Sequence, residues 1–296
     1  MILISVPVHE HPEVILDQVA NFKKFAPDAG VIIHPARQFR DSHQDFFANF
    51  HSLPNVWVNP NPFYTRLGMV LKCHISNFIY ASKIGIKFTH FTMHSSNDLF
   101  VRTGVEDYVI ENDYGFFQID ILSNEYKFSY WQEDFHADKA YRKILSAAGG
   151  IPTSLASQVE GSFYPREGFE EFARYFMRFA WKELPWGLPY SHGNTLYLVK
   201  LFDRAKRSPR WKNYLKGHLY TKEEFYPPNF FSIKCNNPST PYCFMNWKEN
   251  LVVTADDIKK IRDGISPLAN YNELFTVKRV SRVMDDPIRM MIRNIA

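Results

Sequence analysis

Two short stretches of this 296-residue chain hold the residue types that chemistry needs. The first is Ser95-Ser96-Asn97-Asp98, which halts an apolar run at residues 88–93 (FTHFTM). That run reads as a strand buried on both faces of a parallel sheet, and so without clean polar alternation. In open α/β sheets, ligands bind at the carboxyl ends of such strands, where short polar side chains and backbone donors face a crevice. The same four residues would also serve as a plain solvated turn. The second stretch is Glu223-Glu224, just ahead of Pro227-Pro228. A general base must be held rigidly, since misplacement by about an ångström costs on the order of a hundredfold in rate. Phe225, Tyr226, Phe230 and Phe231 would desolvate a carboxylate here and lift its pKa toward working pH. Proline biases the residue before it toward extended geometry, so residues 219–231 read as a stiff, non-helical loop. The competing reading places both acids at the positive end of a surface helix.

The elements that would carry these groups follow in order. Residues 2–8 are Val/Ile-rich and read as a strand ending at His9, residues 12–25 have helical apolar spacing, and residues 30–34 form a second strand ending in His34. This is a β-α-β unit with a right-handed crossover. It brings His9 and His34 to neighbouring strand ends near the Asp98 turn, although a histidine at a strand end also suits a purely structural role. Further on, residues 39–50 read as helix, 55–59 as strand, 69–84 as a long helix entering the central strand, 105–111 as helix or turn, and 113–120 as strand. Residues 125–156 are mixed and reach a turn at Gly149-Gly150. Residues 159–165 read as a loop bearing Glu160, 167–183 as helix, 186–193 as a Pro/Gly loop bearing Trp186, and 195–205 as buried strand or helix. Thr254 with Asp256-Asp257 has the form of an N-cap. Lys248, Lys278 and Arg279 flank that helix, and solvated surface charge is their plain reading. Residues 280–295 are basic and amphipathic, suiting either a packed terminal helix or one lying on a membrane surface. A single α/β domain with an irregular second half accounts for the whole.

Composition narrows the function. With 45% hydrophobic and 22% charged residues the chain is globular rather than disordered. Its net charge of +4 is dispersed, which argues against a nucleic-acid module and suits an anionic small substrate or membrane surface. Aromatic residues make up 16%, which favours sugar stacking and thick cores alike. Three cysteines without C-x-x-C spacing indicate neither a disulfide framework nor a zinc site, and favour a reducing compartment. The opening MILISVPV is too short and lacks the basic flank of a signal peptide or membrane helix.

Five segments, taken together, resemble the core-2/I-branching N-acetylglucosaminyltransferases and peptide O-xylosyltransferases, the family 14 glycosyltransferases of GT-A fold. VPVHEH is similar to that family's first strand end. Ile33–Ala36 (IHPA) matches the first half of an I-H-V-D pattern. SSNDLFV from Ser95 resembles S-G-x-D-x-P-L and keeps Asp98. Glu223 to Asn229 resembles the acid-acid-x-x-aromatic-x-Thr stretch that bears the catalytic glutamate. NWKENLVVTADDI and LFTVKRV resemble the family's tryptophan segment, capped helix and F-A-R-K-F tail. Ala36 stands for an acid, Ser96 for glycine and Asn229 for threonine.

The resemblance implies a GT-A-like α/β fold over residues 1–296, with residues 1–125 binding the nucleotide sugar and 126–296 the acceptor and diphosphate. It implies inverting transfer from a nucleotide sugar, UDP-linked and of GlcNAc or xylose type, to a glycan or glycolipid hydroxyl. Glu224 would be the base, with Glu223 as substitute. Lys278, Lys248 and Arg279 would hold the diphosphate in place of a metal, and no cofactor is expected. His9, His34, Asn97 and Asp98 would line the donor pocket, with Glu160 and Trp186 on the acceptor side. Familiar members of that family are anchored in the Golgi by an amino-terminal membrane helix. Since the opening residues here do not read as one, the expectation departs from the family to a cytoplasmic enzyme, with membrane contact through the basic tail as a further expectation. Two other readings stand beside it: a metal-dependent transferase using Asp98 with a carboxylate such as Asp120, and a non-catalytic carbohydrate-binding protein.

Overall fold

The first strand, β1 (Ile2–Val8), is buried along its whole length, yet its two faces differ. Ile2, Ile4, Val6 and Val8 enter one apolar cluster, whereas Leu3 enters a second. The period of two places Ser5 and Pro7 on the Leu3 face. The computed structural model describes residues 1–9, 11–63, 69–122, 137–151, 153–181, 221–246 and 252–295. Helix α1 (Pro12–Phe25) opens with proline at its first position, where the missing N–H has no intrahelical partner to lose. Its apolar stripe, with Ile15, Val19 and Phe22, packs on the Ile2 face. The chain then runs through β2 (Gly30–Pro35), the short helix α2 (Arg37–Ser42) and β3 (Val56–Val58). It returns through α3 (Val70–Lys83), which covers the Leu3 face, to β4 (His90–Met93).

After β4 come β5 (Leu99–Phe100), α4 (Val105–Asn112), β6 (Ile119–Asp120), α5 (Lys139–Ala147), β7 (Leu155–Ala156), β8 (Ser162–Pro165) and α6 (Arg166–Phe179). The last described elements are α7 (Lys222–Phe231), β9 (Cys243–Phe244), α8 (Ala255–Arg262), β10 (Thr276–Val277) and α9 (Pro287–Arg293). The main sheet has the order β3-β2-β1-β4-β8, parallel from β3 through β4 and closed by β8 running antiparallel to β4. It is thus a mixed α/β fold with a mostly parallel central sheet between helices. Because the chain leaves β1 toward β2 on one side and returns to β4 on the other, the crevice between the carboxyl ends of β1 and β4 is the topological switch point. A smaller sheet, β5-β10-β9, holds the segment that follows β10 close to that crevice.

Several local expectations change. Residues 39–50 do not make one helix: α2 ends at Ser42 and a 3-10 turn covers Gln44–Phe50. The Ser42 hydroxyl bonds back to Gln38 O and Phe39 O, which competes with helix continuation. Within 113–120 the ladder is confined to Ile119–Asp120, and Gly115 makes isolated bridges to Phe163 and Ser239. Residues 162–165 are strand rather than loop, and both faces of β8 are covered, so no alternation marks it in the sequence. Helix α5 stands inside the mixed region, capped by Asp138, whose Oδ1 accepts from the Ala140 and Tyr141 N–H groups. The Thr254 capping box on α8 is present, with Asp257 reciprocating. Of the two readings of the tail, the packed one describes α9: Arg289 is buried, and both Arg289 and Arg293 bond to Asp17 of α1.

The largest departure is α7, which is helical through Pro227 and Pro228. The two prolines lack the N–H groups that would reach the carbonyls four residues back. Glu224 O accepts instead from Ser157 N, beside β7, at 2.9 Å. Asn229 Nδ2 bonds to Phe225 O at 2.6 Å. With Phe225, Tyr226, Phe230 and Phe231 all buried, tertiary packing overrides the local preference for extended backbone.

Candidate active site

A cleft of about 440 Å³ opens at the switch point. Pro7 and His9 contribute from the end of β1, Val70 and His74 from α3, and His94, Ser95, Ser96 and Asn97 from the turn after β4. Val159 and Glu160 approach from the segment before β8, Glu223 and Glu224 from α7, and Lys278, Arg279 and Arg282 from beyond β10. Segments from both ends of the chain therefore converge on one concave surface.

The two acids occupy the first turn of α7, where the helix dipole favours negative charge. Burial is the larger influence. It lifts Glu223 to about 8, helped by the neighbouring charges of Glu224 and Glu160 and opposed by Lys278. Glu224 is lifted to about 7, again chiefly by burial, with a hydrogen bond from Thr221 Oγ1 at 2.9 Å pulling the other way. Near neutrality the pair therefore carries less than one full negative charge, with Glu223 keeping its proton and Glu224 close to its titration point. Beneath them, Lys222 Nζ lies 2.8 Å from Asp138 Oδ2, which also receives the Tyr226 hydroxyl at 2.6 Å. This buried network ties α7 to the cap of α5 and fixes the helix that presents the acids.

Among the described residues, Lys278 is the cation whose charge opposes the pKa rise of both acids. Its ammonium is ion-paired with Glu160. Burial alone would lower the Lys278 pKa, but Glu160 and Asp98 outweigh it and hold the group charged. Glu160 is placed by the buried Gln158, whose Nε2 bonds to Glu160 O and Cys243 O at 2.7 and 2.6 Å. The next residue, Gly161, has φ +76°, and a Cβ there would come within 2.5 Å of Cys243 N, so glycine is needed for this approach. Arg279 has φ +70°, a left-handed backbone that costs a non-glycine residue about 1–2 kcal/mol. The turn is pinned on both sides, by Lys278 N to Phe244 O at 3.0 Å and by Val280 N to Asn97 O at 3.3 Å.

Of the residues singled out in the sequence, Glu223, Glu224, Glu160, Lys278, Arg279, His9 and Asn97 meet in this cleft. His34 does not line it: its ring is buried, stacks on Phe63 and accepts the Phe63 N–H. Asp98 lies behind the wall, fully buried, with its carboxylate on Ser95 N, the Ser95 hydroxyl and His94 Nδ1, so it organises the turn. Asp120 is exposed on β6 and is absent from the cleft lining. Lys248 and Trp186 lie outside the described residues. Ser95 and Ser96, from the polar stretch picked out in the sequence, line the cleft beside Asn97, whereas His74, His94 and Arg282 line it without having been singled out as ligand contacts. A polar residue on the buried stripe of α3 was the available signal for His74; nothing comparable marks Arg282. Among the described residues no three His, Cys, Asp or Glu side chains are grouped as a metal site, and no helix is long and apolar enough to cross a membrane.

Fold and site together define an α/β protein with a polar cleft at its topological switch point, carrying an acid pair and cationic side chains. No family model matches the chain, and no curated protein does. Among solved structures, S. aureus TarS 1-349 superposes with a TM-score of 0.33 at 9% identity, over 57% of this chain and 48% of that one. The match spans about half of that chain, and a superposition this loose does not define a shared fold.

Proposed function

We propose that this chain is a glycosyltransferase that moves a sugar, with inversion, from a nucleotide sugar to a hydroxyl of a glycan or glycolipid. The observation that carries the proposal is the meeting, at the switch point, of the Glu223–Glu224 pair with Lys278 and Arg279. In the reaction, the acceptor hydroxyl attacks the anomeric carbon while Glu224 takes its proton. The bond from that carbon to the diphosphate breaks, and its electron pair leaves with the diphosphate. A base needs a pKa near working pH, which burial gives Glu224. Glu223, holding its proton longer, keeps the pair from carrying two charges. Lys278 and Arg279, with Arg282, meet the charge that gathers on the diphosphate, a role in which fixed cations in a dry site contribute several kcal/mol. Lys278 would then share its ammonium between Glu160 and a phosphate oxygen.

The test is mass spectrometry of products from a mixed pool of nucleotide sugars and glycan acceptors, with and without chelator. A sugar mass increment in both conditions is expected. Strict dependence on added manganese would overturn the cationic role, and the absence of both transfer and nucleotide-sugar binding would overturn the whole proposal.

A further inference from the structure

We propose that His74 is a fixed, uncharged N–H donor in the cleft, set to hold a carbonyl or hydroxyl oxygen of the ligand's ring portion, while the cationic side chains meet its anionic portion. The hydrogen-bond directions behind the ring determine its tautomer. Asn77 Nδ2 lies 3.1 Å from Ile32 O, which can only accept, so the amide nitrogen faces β2, and it also reaches Ser5 Oγ at 3.0 Å. Asn77 Oδ1 accepts from Asn59 Nδ2 at 3.0 Å, which holds the amide in that orientation. Ser5 Oγ thus accepts from Asn77, and the acceptor within reach of its own hydrogen is His74 Nδ1, at 2.8 Å. Nδ1 then carries the lone pair and Nε2 the hydrogen.

His74 Nε2 is buried and has no hydrogen-bond partner among the described residues, although the residue lines the cleft. Ser5, Asn59, His74 and Asn77 are all fully buried, so the chain of bonds behind the ring is rigid and closed to water. A buried donor without a partner carries its desolvation penalty until an acceptor arrives. Burial also keeps the ring neutral, with nearby His34 and His94 adding to that effect. The neighbours indicate which part of a ligand belongs there. Val70 is one helical turn before His74 on the same face of α3, and Pro7 follows Ser5 on the same face of β1, and both line the cleft. An uncharged donor that shares this part of the lining with Val70 and Pro7 suits the edge of a base or sugar ring rather than a phosphate.

This inference rests on the nucleotide-sugar reading for its choice of probes, UDP and UDP-GlcNAc, but not for its tautomer. Nitrogen-15 NMR of the ligand-free protein should show His74 protonated at Nε2 and bare at Nδ1 from pH 5 to 8. An Nδ1-protonated ring or an imidazolium in that range would overturn the proposal. In calorimetry, His74→Phe should weaken binding about 5- to 10-fold, and His74→Gln, which restores an N–H near the Nε2 position, should recover most of it. Equal loss for both probes places the contact on the base; loss for UDP-GlcNAc alone places it on the sugar. Unchanged affinity of a folded His74→Phe protein for probes that the wild type binds would overturn the proposal. If the wild type binds neither probe, the nucleotide-sugar reading fails, and the NMR tautomer still decides whether His74 is the donor described. If His74→Phe does not fold, the NMR result and the His74→Gln affinity decide.

Discussion

Glu223→Gln replaces a buried carboxyl by a group of the same shape that cannot ionise, and its effect on stability should depend on pH. An ordinary carboxyl releases its proton near 4.5, whereas Glu223 in the folded chain holds its proton to about 8. Between those values the folded state binds a proton that the unfolded chain has lost, so wild-type stability falls as pH rises through this window. The contribution is fully present below 4.5 and is lost by about 8. At about 1.4 kcal/mol per pH unit, the loss reaches roughly 3 kcal/mol at pH 7. The glutamine variant lacks this term. Any fixed cost of seating the amide shifts its stability equally at all pH values. Urea denaturation of both proteins at pH 4, 5.5 and 7 should therefore show the variant gaining on the wild type by roughly 3 kcal/mol across the series. Curves that stay parallel would mean that Glu223 titrates like an exposed acid, and the acid pair would lose its physical basis.

Three further outcomes follow from the same geometry. Lys278→Met should weaken UDP binding and slow transfer together, and adding Glu160→Gln should recover stability by removing the stranded carboxylate without recovering affinity; recovered affinity would remove Lys278 from diphosphate binding. The rate under kcat/KM conditions should climb as pH rises through about 7, because Glu224 acts only when ionised, and a flat profile would exclude it as the base. Asp138→Ala strips a carboxylate from buried Lys222 and the cap from α5, and should cost about 3–5 kcal/mol in denaturation experiments. A cost under about 1 kcal/mol would show that the network does not hold α7 in place.

How much of this was legible in the sequence depended on whether the signal was local. Val/Ile strands and amphipathic helices announced β1, α1, β2 and α3 within a residue or two, and with them the position of the switch point. The acids at Glu223 and Glu224 stood out by type and by the aromatic residues around them. Their setting did not, because the helix through Pro227 and Pro228 depends on a Ser157 N–H more than sixty residues away in the chain. The Lys278–Glu160 pair joins residues 118 apart, which no local pattern can show. Asp98 looked like a ligand group because it follows the central strand, yet its oxygens are bound within its own turn, to Ser95 and His94. His74 sits on the buried face of an ordinary helix. Its meaning comes from Ser5 and Asn77, which only the folded sheet places behind it.

The most direct measurement compares Glu224→Gln with the wild type for sugar transfer and for nucleotide-sugar affinity in the same preparation. Turnover should fall by about a hundredfold or more while affinity changes little, since the lost group acts on the proton of the acceptor. Turnover equal to wild type in the folded variant would contradict the assignment of Glu224 as the base.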